Sequence, residues 1–313
     1  MRVLVTGAAG FIGSTLCDSL LEDGADVLGV DGFIANYPES FKRANLARAS
    51  THPRFRLVEA DLRTADLDPV VRDATHVVHL AALAGVRASW GSAFADYASH
   101  NVLATQRVLE ALRNREVERV VVASSSSVYG TPARFPTPED EPGRPLSPYG
   151  VTKVATEALL QAYRASCGVP AVGLRYFTVY GPRQRPDMGI FRFFDAARRG
   201  REVPIYGDGQ QTRDFTFVED AVQATKAAMV RPVDSLVYNV GGGHRVSLNE
   251  LLASIERVSG LPLARRHEPA ATGDPRDTAS ETSRARRDLD YRPRTDLASG
   301  LGRQWEWQRK LPD

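Results

Sequence analysis

The sequence is short of cysteine, of charge of one sign and of long apolar runs, and each shortage closes off a class of protein. Only Cys17 and Cys167 occur in 313 residues. Two thiols with neither a pairing pattern nor metal-ligand spacing exclude a disulfide scaffold and a cysteine metal site. They suit a reducing compartment, so the expected location is the cytoplasm, and no metal is expected. Forty Lys and Arg against 38 Asp and Glu leave a formal charge of +2, too small for a nucleic-acid binder without a localised basic face. An anionic partner should then be a small molecule. No stretch approaches the roughly 20 apolar residues of a membrane span. Met1-Arg2-Val3-Leu4-Val5 enters a strand pattern at once, with no room for a charged segment followed by a long apolar one. No membrane partner is expected, and neither internal repeats nor low-complexity tracts occur. A chain that is 42% hydrophobic and 25% charged has an ordinary globular composition. Its length suits one large α/β unit or a core domain with a smaller lobe.

Short β-branched runs recur at 3–5, 26–30, 55–59, 76–80, 119–123 and 171–175. Between them lie amphipathic stretches of helix length, including 14–23, 97–113 and 149–167. This alternation predicts βαβ units on a doubly wound parallel (Rossmann) sheet, and continuous runs such as Val120-Val121-Val122 suit strands covered on both faces. After Arg175 the alternation fades. Residues 181–209 are rich in Arg, Pro, Gly and Phe, 215–230 resume a strand-helix pattern, and 248–260 read as another helix. The expected division is a dinucleotide-binding domain over 1–174, joined by part of 214–243, and a smaller interleaved α/β lobe over 175–313. Arg284, Arg286 and Arg287 are expected on a solvated helix face. Trp305 and Trp307 are two apart and cannot share one helix face, so at least one should pack the tail onto the body.

Directly after the first strand stands Thr6-Gly7-Ala8-Ala9-Gly10-Phe11-Ile12-Gly13. Its glycines permit a tight turn and close approach to a pyrophosphate, and the helix that follows supplies unpaired N–H donors. A glycine turn with a helix cap would read similarly. Asp31, eighteen residues after Gly13 at the end of the second strand, sharpens the signal. A carboxylate there accepts hydrogen bonds from ribose hydroxyls and repels a 2′-phosphate, favouring NAD over NADP.

Tyr149 and Lys153 form a Tyr-x-x-x-Lys pair on one helix face. A neighbouring ammonium stabilises a phenolate and should draw the tyrosine pKa from about 10 towards neutrality, making Tyr149 a general base. Upstream, Ser124-Ser125-Ser126-Ser127 ends a strand at the sheet's carboxyl edge, where open α/β sheets place ligands. Their hydroxyls can relay a proton, although capping or loop ordering would also account for some of the four.

Taken together with Asp61-Leu62, His79-Leu80-Ala81-Ala82, Ser147-Pro148-Tyr149 and the segment from Leu174 through Tyr176-Phe177-Thr178 to Gly181-Pro182, these motifs carry a resemblance. Over nearly the whole chain the sequence resembles the extended short-chain dehydrogenase/reductases, specifically the NAD-dependent nucleotide-sugar 4-epimerases. The resemblance implies Ser125, Tyr149 and Lys153 as catalytic residues, and Lys153 as a nicotinamide-ribose ligand. It further implies that Asp61 and Leu62 hold the adenine and that Leu80, Ala81 and Ala82 line the cofactor channel. Gly7, Gly10, Phe11, Ile12, Gly13, Asp31, Asn101, Ser124 and Tyr176 complete the implied cofactor set. His79 is expected to be structural.

The related 4,6-dehydratases carry Asp-Glu after the catalytic hydroxyl, and the related UDP-glucuronate decarboxylases keep the Glu. Here those positions are Ser126 and Ser127, which cannot exchange protons near neutrality as a carboxyl does. That leaves a redox-neutral epimerase, with the C4 hydride lent to NAD and returned to the other face of a 4-keto sugar. Thr178 and the run Gly181-Pro182-Arg183-Gln184-Arg185-Pro186-Asp187-Met188 are similar to the UDP-glucuronate 4-epimerases. A C6 carboxylate would suit Ser126, Ser127, Thr178 and Arg185, unless Arg183 and Arg185 are merely solvent-facing loop charges. The alternative substrate is UDP-glucose/UDP-galactose. Dehydratase, decarboxylase, NADH-releasing dehydrogenase and non-catalytic NAD-binding regulator are the other readings, the last disfavoured because Tyr149 and Lys153 are both kept. Arg213 and Asp274 match family positions for the diphosphate and the uridine ribose, with Arg87 and Arg192 as further diphosphate candidates. A homodimer built on the helices 97–113 and 149–167 is implied.

Overall fold

In the computed structural model, residues 1–269, 273 and 275–312 are described. Seven strands form one sheet: β1 (Arg2–Thr6), β2 (Asp26–Asp31), β3 (Phe55–Glu59), β4 (His76–His79), β5 (Arg119–Ser125), β6 (Ala171–Tyr176) and β7 (Val237–Val240). Their order is β7-β6-β5-β4-β1-β2-β3, and every pairing is parallel. The period of two assigns alternate residues to opposite faces. Val3, Val5, Val78, Val121 and Val172 enter one core, while Leu4, Val30, Val77, Val120 and Val122 enter the other. Both faces are therefore covered, which is why these strands read as unbroken apolar runs. The chain reverses its winding between β1 and β4, and the crevice at the carboxyl ends there is where such sheets hold ligands.

The principal helices are α1 (Phe11–Glu22), α2 (Ala104–Leu112), α3 (Pro148–Cys167), α4 (Gly189–Arg199), α5 (Val218–Val230), α6 (Leu248–Ser259) and α7 (Leu297–Gln308). Helix α1 begins three residues earlier than expected because Gly10, in extended conformation, serves as its N-cap. The expected single helix over 97–113 is instead a short α-turn (Phe94–Tyr97), a π-helical segment (Ala98–Leu103) and α2. Helix α3 has Ser147 accepting from Gly150 N, proline in its first turn and Gly168 in the left-handed conformation after its end.

Strand β7 is absent from the expected set of strands. Its four residues extend the sheet beyond β6, with Val237 opposite Gly173 and Val240 opposite Tyr176. Trp305 stacks on Phe194 with centroids 5.3 Å apart, and Trp307 meets Phe191 edge-on at 6.1 Å. Both tryptophans of α7 thus pack on α4, which they straddle. Arg286 and Arg287 are exposed, whereas Arg284 is half-buried, 3.7 Å from the Glu139 carboxylate. Among the described residues, no helix is long and apolar enough to cross a membrane.

Candidate active site

The turn after β1 is built around two glycines that no side chain could replace. Gly7 has φ of +70°, and a Cβ there would lie 2.8 Å from Ala81 N. A Cβ on Gly13 would come within 2.1 Å of Gly7 O. The Asp31 carboxylate orders the same turn, accepting from Ala9 N at 3.0 Å and Phe33 N at 2.8 Å. Each of its oxygens retains a lone pair for a ribose hydroxyl. Helix α1 starts with neither a side-chain cap nor an acidic residue in its first turn, so its N–H donors suit an anion. These features fit a dinucleotide pyrophosphate.

Every residue expected to touch the cofactor, except Asn101, lines one cavity at this edge. Asn101 is turned to another task. Its Oδ1 accepts from Leu83 N at 2.8 Å, and its Nδ2 donates to Leu83 O at 2.9 Å and Thr152 Oγ1 at 3.0 Å. From the π-helical segment it ties the loop after β4 to α3. Lys42 and Asn45 are neighbours of the site that sequence reading missed, since neither belongs to a motif. Asn45 Nδ2 donates to Ala9 O at 3.1 Å. Lys42 is 4% exposed, lines the cavity and donates to Ile34 O at 2.7 Å. Burial lowers its pKa, and the Asp31 charge partly restores it. Asp61 is held below its usual pKa by a hydrogen-bonded pair with Arg63 at 2.7 Å.

The serine run divides. Ser124 donates to Glu157 Oε1 at 2.5 Å, within a buried network. Ser125 Oγ accepts from Ser127 N at 3.1 Å, capping the turn Ser126–Val128, and donates to Ser127 Oγ at 3.2 Å. Ser125, Ser126 and Ser127 all line the cavity beside Tyr149. Lys153 donates to Ala123 O at 2.8 Å and lies 5.9 Å from the Tyr149 ring centroid. Burial pushes its pKa down to about 8. Tyr149 itself is raised by burial, and the groups that lower it are a hydrogen bond with Ser125 and the charge of Arg185. The expected lowering by Lys153 is not among these influences, and Ser125 and Arg185 are the neighbours that act on the phenol. His79 is buried with both ring nitrogens partnered, Nδ1 by Thr6 Oγ1 at 2.7 Å and Nε2 by Thr105 Oγ1 at 3.0 Å. Its pKa falls to about 3, chiefly through burial, which leaves it no acid–base work.

A second cavity meets the first at Ala84, Thr178, Arg185 and Met188. It gathers Arg87, Arg192 and Arg213, the three arginines expected at a diphosphate. Arg87 lies over the Tyr206 ring at 4.3 Å, and Arg213 donates to Thr212 O at 2.8 Å and Arg276 O at 3.0 Å. Asp274 lies outside the described residues. Ser126, Ser127, Thr178 and Arg185 share the first cavity. Neither arginine is a solvent-facing charge: Arg183 pairs with Asp18 of α1 at 2.6 Å, and the Arg185 side chain is 15% exposed.

A Rossmann sheet with this edge defines a dinucleotide-dependent protein. The chain belongs to the NAD dependent epimerase/dehydratase family, whose model matches residues 3–241. Over 303 residues it is 43% identical to the uncharacterized UDP-glucose epimerase YtcB of Bacillus subtilis (strain 168), with 96% of each chain covered. The UDP-glucuronate 4-epimerase of Thermodesulfobacterium geofontis (strain OPF15) is 35% identical over 312 residues, covering 98% of this chain and 96% of that one. Among solved structures, the UDP-glucuronic acid 4-epimerase of Bacillus cereus in complex with UDP-glucuronic acid and NAD has a TM-score of 0.96. It is 38% identical, and 100% of both chains are covered.

Proposed function

We propose that this protein interconverts UDP-sugars at C4 with NAD as its cofactor, and that UDP-glucuronate is its substrate. The observation that carries the reading is Arg185, brought with Thr178, Ser126 and Ser127 to the cavity that holds Tyr149. NAD, which the glycine turn, Asp31 and Lys153 would hold, would supply a reversible hydride acceptor for C4. Tyr149 takes the C4 hydroxyl proton, directly or through Ser125, and gives it back when the hydride returns to the other face. Lys153 fixes the ribose and adds positive charge. Arg87, Arg192 and Arg213 hold the diphosphate, and a guanidinium suits that task through its paired donors.

A 4-keto hexuronate is a β-keto acid and loses CO₂ when its C5–carboxylate bond aligns with the ketone π orbitals. Hydroxyls and a guanidinium on the carboxylate oxygens prevent that alignment, and Ser126 and Ser127 supply no carboxyl group to assist elimination. UDP-glucose is the second reading, favoured by the Bacillus subtilis relative.

Residues 1–174, joined by part of 214–243, serve the cofactor in this reading, and the remainder mainly serves the nucleotide sugar. We place the protein in the cytoplasm as a homodimer. Leu103 and Val151, 46% and 48% exposed on the π-helical segment and α3, support a helical interface between copies. The decisive experiment incubates the purified protein with a panel of UDP-sugars and resolves the C4 epimers, with sedimentation on the same preparation. Wild type should epimerise UDP-glucuronate without releasing CO₂ and should sediment as a dimer. Tyr149→Phe should keep its NAD and lose roughly 10²–10⁴-fold in turnover. Faster turnover of UDP-glucose than of UDP-glucuronate would install the second reading.

A further inference from the structure

Arg185 is already engaged before any substrate is considered. Its Nε donates to Asp187 Oδ1 at 3.0 Å and its Nη2 to Asp187 Oδ2 at 2.7 Å, while Nη2 also donates to Ala84 O at 3.1 Å. A guanidinium has five N–H donors. Asp187 and Ala84 take the Nε proton and both Nη2 protons, leaving the two on Nη1. The arginine is 15% exposed and its partner 50%, so a carboxylate reaching in from the surface holds a buried cation at the junction of the two cavities.

We propose that Asp187 is a specificity-determining residue, one that occupies the two-pronged edge of Arg185 and competes with a substrate carboxylate for its charge. The inference rests on the reading of Arg185 as the partner of the uronate. Side-on, two-pronged pairing is the strong form of arginine–carboxylate recognition, and here the protein has taken it for itself. A uronate then meets Arg185 through Nη1 with one oxygen. Its other oxygen falls to the hydroxyls of Ser126, Ser127 and Thr178, which line the same cavity. A neutral hydroxymethyl group at C6 is tolerated for the same reason. When UDP-glucose binds, Arg185 is not left buried without a counter-charge, a situation that would otherwise be strongly unfavourable. Asp187 thereby narrows the gap between uronate and hexose.

Asp187→Asn keeps the shape and one acceptor oxygen while removing the competing charge. The test measures kcat/KM for UDP-glucuronate and UDP-glucose in the NAD-bound wild type, in Asp187→Asn and in Arg185→Ala. The uronate-to-hexose ratio should rise on the order of 10-fold in Asp187→Asn, mainly through a lower KM for the uronate. That gain should shrink as salt is added. Arg185→Ala should abolish the preference. If Asp187→Asn leaves the ratio unchanged or lowers it, or depresses both substrates alike, while Arg185→Ala still abolishes it, Asp187 merely orients the arginine and the inference is overturned. An unchanged ratio in Arg185→Ala overturns both the inference and the substrate reading beneath it.

Discussion

In the proposed reaction Tyr149 must lose its proton to act as a base, yet burial raises its pKa above the ordinary phenol value, so its neighbours must supply the correction. Arg185 and Ser125 do part of this, which gives Arg185 an electrostatic role beyond any contact with a sugar. Lys153 has the opposite problem. Its ordinary value of 10.5 falls to about 8 in the folded protein because the ammonium is buried. The folded protein therefore binds this proton less tightly than the unfolded chain. The cost of holding Lys153 charged is present in full below pH 8 and is relieved as pH rises from 8 towards 10.5. A shift of that size corresponds to about 3 kcal/mol. Lys153→Met should accordingly lose activity while gaining ~1–3 kcal/mol of stability at pH 7, the trade expected where a site is built against the preference of the fold. Denaturant midpoints of the two proteins, recorded at pH 7 and pH 9.5, check this. The advantage of the variant should be larger at pH 7, and an equal advantage at both would show that the buried charge is not its source.

The elements that carry the site were legible in the sequence where periodicity was strong, and illegible where polar residues broke it. The glycine turn, the serine strand and the Tyr-Lys helix followed from short-range patterns that β1, β5 and α3 reproduce within a few residues. The π-helical segment Ala98–Leu103 did not, because its composition, Ala-Ser-His-Asn-Val-Leu, continues the polarity pattern of a helix. A π turn leaves backbone groups out of the usual ladder, and the role of Asn101 there appears only once Leu83 and Thr152 are in place. Strand β7 is four residues with Asn239 inside it, and its polarity becomes intelligible only through long-range partners. Asn239 Oδ1 accepts from Tyr129 Oη at 2.6 Å, Tyr129 Oη accepts from Arg175 Nη1 at 2.8 Å, and Arg175 pairs with Glu157 at 2.7 Å. Glu157 in turn takes the Ser124 hydroxyl. This chain ties β5, β6, β7 and α3 together directly behind the reactive groups. Removing one partner of such a buried pair leaves an uncompensated charge, so Arg175→Met should cost about 3–5 kcal/mol. The double variant Arg175→Met/Glu157→Leu should recover most of it. Chemical denaturation of the three proteins measures the difference, and additive losses would mean that the pair is not coupled.

Across the whole molecule, the loop 181–188 that carries Arg185 is held from both ends of the sequence. Asp18 of α1 reaches Arg183 at 2.6 Å. Gln304 of α7, fully buried, accepts from Gly181 N at 2.8 Å and donates to Gln184 Oε1 at 2.7 Å. Gln184 Oε1 also accepts from Phe191 N at 2.9 Å, which fixes the start of α4. The contacts of Asp18 and Gln304 with this loop, more than a hundred residues apart in sequence, have no local signature; the tryptophans of the last helix pointed to a packed tail but not to what the tail positions. The glycine turn, Asp31 and the serine strand make no hydrogen bond to Gln304, whereas the loop bearing Arg185 is tied to it through Gly181 and Gln184. Gln304→Ala would leave Gly181 N buried without its acceptor, at a cost of about 1–3 kcal/mol. The expected outcome is a KM for the UDP-sugar raised on the order of 10-fold or more, with NAD content after purification close to that of wild type. Absorbance of released cofactor and steady-state kinetics on one preparation measure both. Loss of NAD in proportion to the rise in KM would show that α7 supports the molecule as a whole and not the loop in particular.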